Sequence, residues 1–373
     1  MSNERLVYLD NNATTRVAPE VVEAMLPCLT EHWGNPSSAY DLANAPSRMI
    51  AEAREKVAKL IGADPRNIVF TSCGTESNNA AIQSALHCNP TKRHVITSVV
   101  EHTANIKFCG QLEKRGYEAT FLPVDLDGGI DLCDLQDAIR PDTAIVSLMW
   151  ANNETGVLFP VEELAAICRS RGVLFHTDAI QVAGKLPIDV QSLGVDFLSL
   201  SAHKLRAPKG IGLLYIKPGA PFEPYIIGGG QERGQRGGTE NVAYIVAFGK
   251  AAELALDLVE VVGTHLDDGW HQRDRPHPGD QCHEVERRRR HRPERRRQAE
   301  DGGGPVQDHP PHRVGVVVLQ VRGGAEEQHQ EDREDTHRLS LPRVSSSLVL
   351  ELTDPSDHSR TSRKDPSDLA QVM

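Results

Sequence analysis

Residues 173–181 read Val-Leu-Phe-His-Thr-Asp178-Ala-Ile-Gln181, a short apolar run that stops almost directly on a carboxylate. A run of this length bounded by polar residues predicts a buried strand. A carboxylate at its end is costly to bury unless it meets a cationic partner. Outward from it, Asn67–Phe70, His94–Val100, Ala144–Met149 and Phe197–Leu200 are runs of the same kind. Asn105–Arg115 and Val161–Arg171 between them have helical spacing, as do Val17–Leu29 and Ala43–Ile61, which ends at Gly62. Strands alternating with helices at this interval predict an α/β fold, a mostly parallel sheet covered by helices on both faces. Ligands in such sheets sit beyond the carboxyl ends of the strands, so chemistry is sought just after each run.

The chain has 373 residues, 39% hydrophobic and 25% charged, with a formal net charge of −11. That length supports one large domain or two ordinary ones. The acidic balance argues against a nucleic-acid partner. No apolar stretch is long enough for a membrane helix, and Met1–Asp10 lacks the basic and apolar regions of a signal peptide. Seven scattered cysteines without a C-x2-C pair exclude a zinc ribbon and predict reduced thiols. These features predict a soluble cytoplasmic protein with no membrane attachment and no metal.

Four strand-end motifs carry the chemistry. In Thr71-Ser-Cys-Gly-Thr-Glu-Ser-Asn-Asn79, Gly74 and Thr75 open a helix whose free amides suit a phosphate. It is neither a P-loop nor a G-x-G-x-x-G turn, and alone it reads as a helix start. Val100-Glu-His102 places a histidine at a strand end, where most histidines are structural. Asp178 is the third. The fourth, Ser201-Ala-His203-Lys204, sets a lysine just after a buried strand, where its pKa can fall and a Schiff base can form. Each is ambiguous by itself. In this order they describe a pyridoxal 5'-phosphate site: a phosphate cradle, a flat group over the ring, a carboxylate at the ring nitrogen and a lysine. Asp178 lying 26 residues before Lys204 resembles the fold-type I enzymes that use this cofactor.

Longer motifs sharpen the resemblance. Tyr8-Leu-Asp-Asn-Asn-Ala-Thr-Thr15, Thr75-Glu-Ser-Asn-Asn79, Asn152-Asn-Glu-Thr-Gly156, His176-Thr-Asp-Ala-Ile-Gln181, Gly228-Gly-Gly-Gln-Glu-Arg-Gly234 and Gly238-Thr-Glu-Asn241 are similar to cysteine desulfurases. Trp150-Ala-Asn-Asn-Glu-Thr-Gly156 and the Gly228 motif resemble the nitrogen-fixation (NifS) type, within the class-V aminotransferase-like enzymes. The resemblance covers about residues 6–256. It implies that Lys204 holds the cofactor and moves protons, that His102 stacks on the ring, and that Asp178 keeps the ring nitrogen protonated. It further implies that Gln181 reaches the ring oxygen and that Asn153 lies near the ring oxygen and the substrate carboxylate. Gly74, Thr75, Ser201 and His203 would hold the phosphate, with Thr239 reaching the phosphate of the partner in a homodimer. The implied reaction converts L-cysteine to L-alanine and delivers the sulfur as a persulfide to an iron–sulfur scaffold protein of nitrogenase cluster assembly. A different pyridoxal reaction (transamination or β-elimination) and an inactive remnant are the alternatives.

The composition changes along the chain. Residues 1–248 hold 44 Ile, Phe, Tyr and Asn, and the remaining 125 residues hold none, where equal density gives about 22. From 265 onward there are 17 Arg and one Lys. Losing A/T-rich codons together reads as a GC-rich gene in a shifted frame from about 257–270, since disorder alone explains missing Ile and Phe but not missing Asn and Lys. The expected organisation is a cofactor-binding large domain with its N-terminal segment over 1–256, and a divergent, out-of-frame or disordered region over 257–373. The family's nucleophilic cysteine, in a Ser-Ser-Gly-Ser-Ala-Cys loop about 120 residues after the lysine, has no counterpart. That neighbourhood reads Val321-Arg-Gly-Gly-Ala-Glu, and no Cys follows Cys282. The arginine that would bind the substrate carboxylate cannot be assigned. Eight Arg within 287–297 and His309-Pro-Pro-His312 are weak signals for nucleic acid and metal. The chain as written is therefore expected to release negligible alanine.

Overall fold

A computed structural model describes residues 8–266, with side chains described as far as Val259. The divergent region expected over 257–373 lies outside the described residues, apart from the end of one helix. The strands are β1 (Ile68–Thr71), β2 (His94–Ser98), β3 (Glu118–Leu122), β4 (Thr143–Met149), β5 (Leu174–Asp178), β6 (Phe197–Ser201) and β7 (Gly212–Ile216). They form one seven-stranded sheet in the order β1-β7-β6-β5-β4-β2-β3. Strands β3, β2, β4, β5 and β6 pair in parallel, whereas β7 runs antiparallel to both of its neighbours. The mostly parallel α/β sheet read from the sequence is correct, with β7 as its one reversed strand.

The helices are α1 (Pro19–Met25), α2 (Pro27–Thr30), α3 (Asn44–Leu60), α4 (Gly74–Cys88), α5 (Thr103–Glu113), α6 (Leu132–Ala138), α7 (Val161–Ser170), α8 (Val190–Leu193) and α9 (Val242–Leu266). The helix expected over Val17–Leu29 is two helices. Pro27 brings no N–H and its ring crowds the preceding turn, so α1 stops at Met25 and α2 restarts at Pro27. Both faces of the sheet are covered. On one, Ile82 and Leu86 of α4 and Leu112 of α5 pack on Val95, Ile145, Phe197 and Leu214. On the other, Val57 of α3, Leu164 of α7 and Phe248 of α9 pack on Ile68, Val146, Leu198 and Leu213. Neighbours such as Ile145 and Val146 face opposite ways, so a strand buried on both faces reads as an unbroken apolar run. Among the described residues Cys28, Cys73, Cys88, Cys109 and Cys168 are free thiols.

Strand β1 is an edge, and its outer groups are closed by side chains rather than by another strand. Arg54 holds both carboxylate oxygens of Glu232 at 2.7 Å and donates to the Ile68 carbonyl at 2.8 Å. Glu232 in turn accepts the Phe70 N–H at 3.0 Å, and Arg233 donates to the Ile68 carbonyl at 2.5 Å. Glu232 and Arg233 sit in the left-handed region, with φ of 47° and 59°. Two such residues in a row cost energy, and this network offsets the cost. Glu232→Ala would leave Arg54 buried without its partner. It is expected to destabilise the chain by about 3–5 kcal/mol in urea unfolding. A loss below about 1 kcal/mol would show that the ion pair does not hold the edge.

Candidate active site

The carboxyl ends of β4, β5 and β6 meet the start of α4 around a cavity of about 270 Å³. Gly74, Thr75, His102, Asn153, Asp178, Gln181, Ser201, His203 and Lys204 all line it. Thr239 does not. It lines a separate cavity with Thr71, Glu232 and Arg236.

At one end lies the first turn of α4. No side chain caps this helix at Cys73, so its leading amides are left for a ligand. The turn tucks against β7 because Gly212 has no side chain, where a Cβ would come within 2.6 Å of the Cys73 carbonyl carbon. His203 bonds the Thr14 hydroxyl through Nδ1 at 3.0 Å. Burial, then the charges of Lys204 and Lys209, push its pKa down to about 4, so at neutral pH it is a neutral donor.

Asp178 ends β5 and is buried. It accepts from Asn78 Nδ2 at 2.7 Å and from the Ile180 N–H at 3.0 Å. Burial raises its pKa against those two bonds and the charges of His102 and Lys204. Asn78 Oδ1 is buried with no hydrogen-bond partner among the described residues. A buried carboxylate with neutral donors only is a site for a cation. Lys204, in the turn after β6, donates to the carbonyls of Asn12 and of Ala13, the latter at 2.8 Å. Burial and then the charge of Lys185 lower its pKa against Asp10 and Asp178, which raises its share of neutral, nucleophilic amine.

His102 caps α5, its Nδ1 accepting from the Ala104 N–H at 3.2 Å, so the proton of a neutral ring sits on Nε2. Gln181 donates to the Asn12 carbonyl at 2.9 Å. Asn153 donates to Glu154 Oε1 at 2.7 Å. Of the cysteines, Cys73 is free and lines the cavity where α4 begins. Burial pushes Cys109 and Cys168 up to about 12, which leaves them inert thiols. Cys282 lies outside the described residues.

Sequence reasoning missed Asn12, Asn78 and Glu101. Asn78 follows Gly74 by one helical turn, a signal the spacing does contain. Glu101 is buried and accepts from Ser98 Oγ at 2.9 Å, the Met149 N–H at 2.9 Å and Asn105 Nδ2 at 3.1 Å. Met149 pairs in register with Asp178, so Glu101 ties the turn bearing His102 to the strand beside that carboxylate. Burial, helped by the charge of Asp178, pushes Glu101 up to about 8. The folded chain therefore keeps a proton that the unfolded chain releases above its ordinary 4.5, and stability falls as pH rises from there to about 8. Glu101→Gln is expected to flatten that fall, which is at most about 1.4 kcal/mol per pH unit. Equal slopes in thermal melts of both chains would refute a protonated Glu101.

Known proteins resemble this chain in sequence and fold. The class-V aminotransferase family matches residues 7–264. "Cysteine desulfurase 2" of Trichormus variabilis is 55% identical over 250 residues, 67% of this chain and 63% of that protein. "Cysteine desulfurase NifS" of Azotobacter vinelandii is 51% identical over 262 residues, 70% of this chain and 65% of that protein. The chain thus spans under two thirds of the length of these curated relatives. Among solved structures, a "NIFS-like protein" superposes with a TM-score of 0.68 at 41% identity, covering 71% of this chain and 73% of its own. "SspA in complex with cysteine" superposes with a TM-score of 0.64 at 41% identity, covering 66% and 72%. With a parallel sheet whose strand ends gather a buried aspartate, a lysine and an uncapped helix start, and with this match over 7–264, the chain belongs to the class-V aminotransferase family.

Proposed function

We propose that the chain descends from, and in its intact reading frame is, a pyridoxal phosphate-dependent cysteine desulfurase of the nitrogen-fixation type. It would convert L-cysteine to L-alanine and pass the sulfur on as a persulfide. The observation that carries this reading is the convergence of Asp178, Lys204 and the uncapped start of α4 on one cavity. The residues fit the cofactor: a buried carboxylate hydrogen-bonded only by neutral donors would meet a ring nitrogen, and the free helix amides with Ser201 and His203 would meet a phosphate. When bound, the cofactor supplies an electron sink for negative charge on the carbon beside the substrate nitrogen.

The chain's own groups would do the rest. Asp178 holds the proton on the ring nitrogen by its charge. Lys204, with its lowered pKa, takes a proton at Nζ and returns it. His102 forms one wall and carries a proton on Nε2. Gln181 and Asn153 orient the polar edge. Relatives named cysteine desulfurase, and a neighbouring structure named for its complex with cysteine, support this substrate. A homodimer with Thr239 reaching the partner's phosphate, an iron–sulfur scaffold protein as acceptor and a cytoplasmic location belong to the same reading. The division at about 256 does too, and the family match ending at 264 supports it.

Borohydride added to the protein with pyridoxal phosphate is expected to fix the label on Lys204, and Lys204→Ala to lose it. A label on Lys185 or Lys209 instead would defeat the assignment. Asp178→Ala is expected to keep the label yet slow exchange of the substrate α-proton roughly 100-fold or more, as loss of a stabilising charge does. Exchange at the unmutated rate would remove Asp178 from the ring nitrogen.

Sulfur transfer needs a thiolate that reaches the substrate sulfur. The chain as written is expected to bind L-cysteine and release negligible alanine. A gene restored to the other frame beyond about residue 260 is expected to regain turnover that thiol alkylation blocks. Family-like alanine release by the written chain would make Cys73, Cys168 or Cys282 the nucleophile and overturn the requirement for a loop cysteine.

A further inference from the structure

Three side chains beside the cavity converge on one residue, Asn12. Gln181 Nε2 donates to the Asn12 carbonyl at 2.9 Å, and Lys204 Nζ donates to the same oxygen. Lys185 Nζ donates to the side-chain oxygen of Asn12 at 3.3 Å and to Gln181 Oε1 at 2.9 Å. Lys185 stands behind Gln181 and lines a second cavity of about 280 Å³, which also touches Asn12 and Gln181. It is not among the residues lining the first.

An amide side chain can in principle sit either way round, but an ammonium donates and never accepts. Lys185 therefore admits only the oxygen of Gln181. The amide NH2 must then point away from Lys185, toward Asn12 and the first cavity. We propose that Lys185 is a positioning residue: it holds Gln181 Oε1 and Asn12 Oδ1, so that Gln181 presents a donor to the cavity beside the Lys204 amine. The groups that face Lys204 fit this role. Lys185 opposes its positive charge, Asp10 and Asp178 favour it, and His203 adjoins it. Lys185 thus acts on Gln181 and Asn12 by contact and on Lys204 by its charge, although its own exposure moderates that charge.

The proposal rests on the cofactor reading for its first test and not for its second. In the first, pyridoxal phosphate affinity of the full chain is measured by equilibrium dialysis. Lys185→Met is expected to weaken it about three- to tenfold, the scale of one partly exposed charge-assisted hydrogen bond. In a Gln181→Leu background the same change is expected to add nothing, and Lys185→Arg is expected to retain most of the affinity. Unchanged affinity in Lys185→Met, or losses that simply add, overturns the proposal. In the second test, acetylation of Lys204 is followed against pH in the cofactor-free chain by peptide mass spectrometry. The midpoint is expected to move to higher pH in Lys185→Met and to stay in Lys185→Arg. If no chain binds the cofactor, the cofactor reading fails and the acetylation result alone decides. An unmoved midpoint in Lys185→Met then overturns the placement of Lys185.

Discussion

A carboxylate buried at the end of a central strand is the constraint around which this structure is arranged. Asp178 is 6% exposed and bonded only to an amide side chain and a backbone N–H. Leaving such a charge without a cation is costly, and a chain that needed only stability would place an apolar residue there. Nearby groups respond to it. Asn78 is turned toward it from α4, and the charges of Lys204 and His102 act on it from the turns after β6 and β2. Glu101, whose own pKa its charge helps to raise, sits one hydrogen bond from the residue in register with it.

Local sequence places these groups because a parallel sheet brings strand ends together. Each βα turn contributes one or two side chains, and residues far apart in the chain meet with little loop between them. Residues 12–15 supply the remaining wall. The Asn12 and Ala13 carbonyls receive Lys204, and Thr15 bonds the His203 carbonyl at 2.8 Å. The edge of β1 is fixed by the Arg54–Glu232 pair, which also holds the strained turn leading on toward Thr239. The cavity and the sheet edge are therefore joined through the same short strand and the helix that follows it.

Much of this was legible in the sequence. β1, β2, β4, β5 and β6 all lie within or next to the apolar runs, because strands buried on both faces leave an unbroken signal. β3 was missed because it is an edge strand, Glu-Ala-Thr-Phe-Leu, only partly buried. β7 was missed although Gly212–Ile216 is apolar, and its reversed direction depends on partners 140 or more residues away for β1. Nine of the ten site residues share one cavity because most of the motifs follow the carboxyl ends of strands in one sheet. Asn12 and Lys185 were not legible as neighbours, since their contact spans 173 residues and no periodicity encodes it.

The central claim is that the cavity compensates Asp178 with a cationic ring nitrogen. Nitrogen-15 NMR of pyridoxal phosphate labelled at the ring nitrogen and bound to the full chain tests it most directly. The account predicts a protonated ring nitrogen across neutral pH that loses its proton in Asp178→Ala. A nitrogen that is unprotonated in the unaltered chain, or equally protonated in both chains, would contradict it.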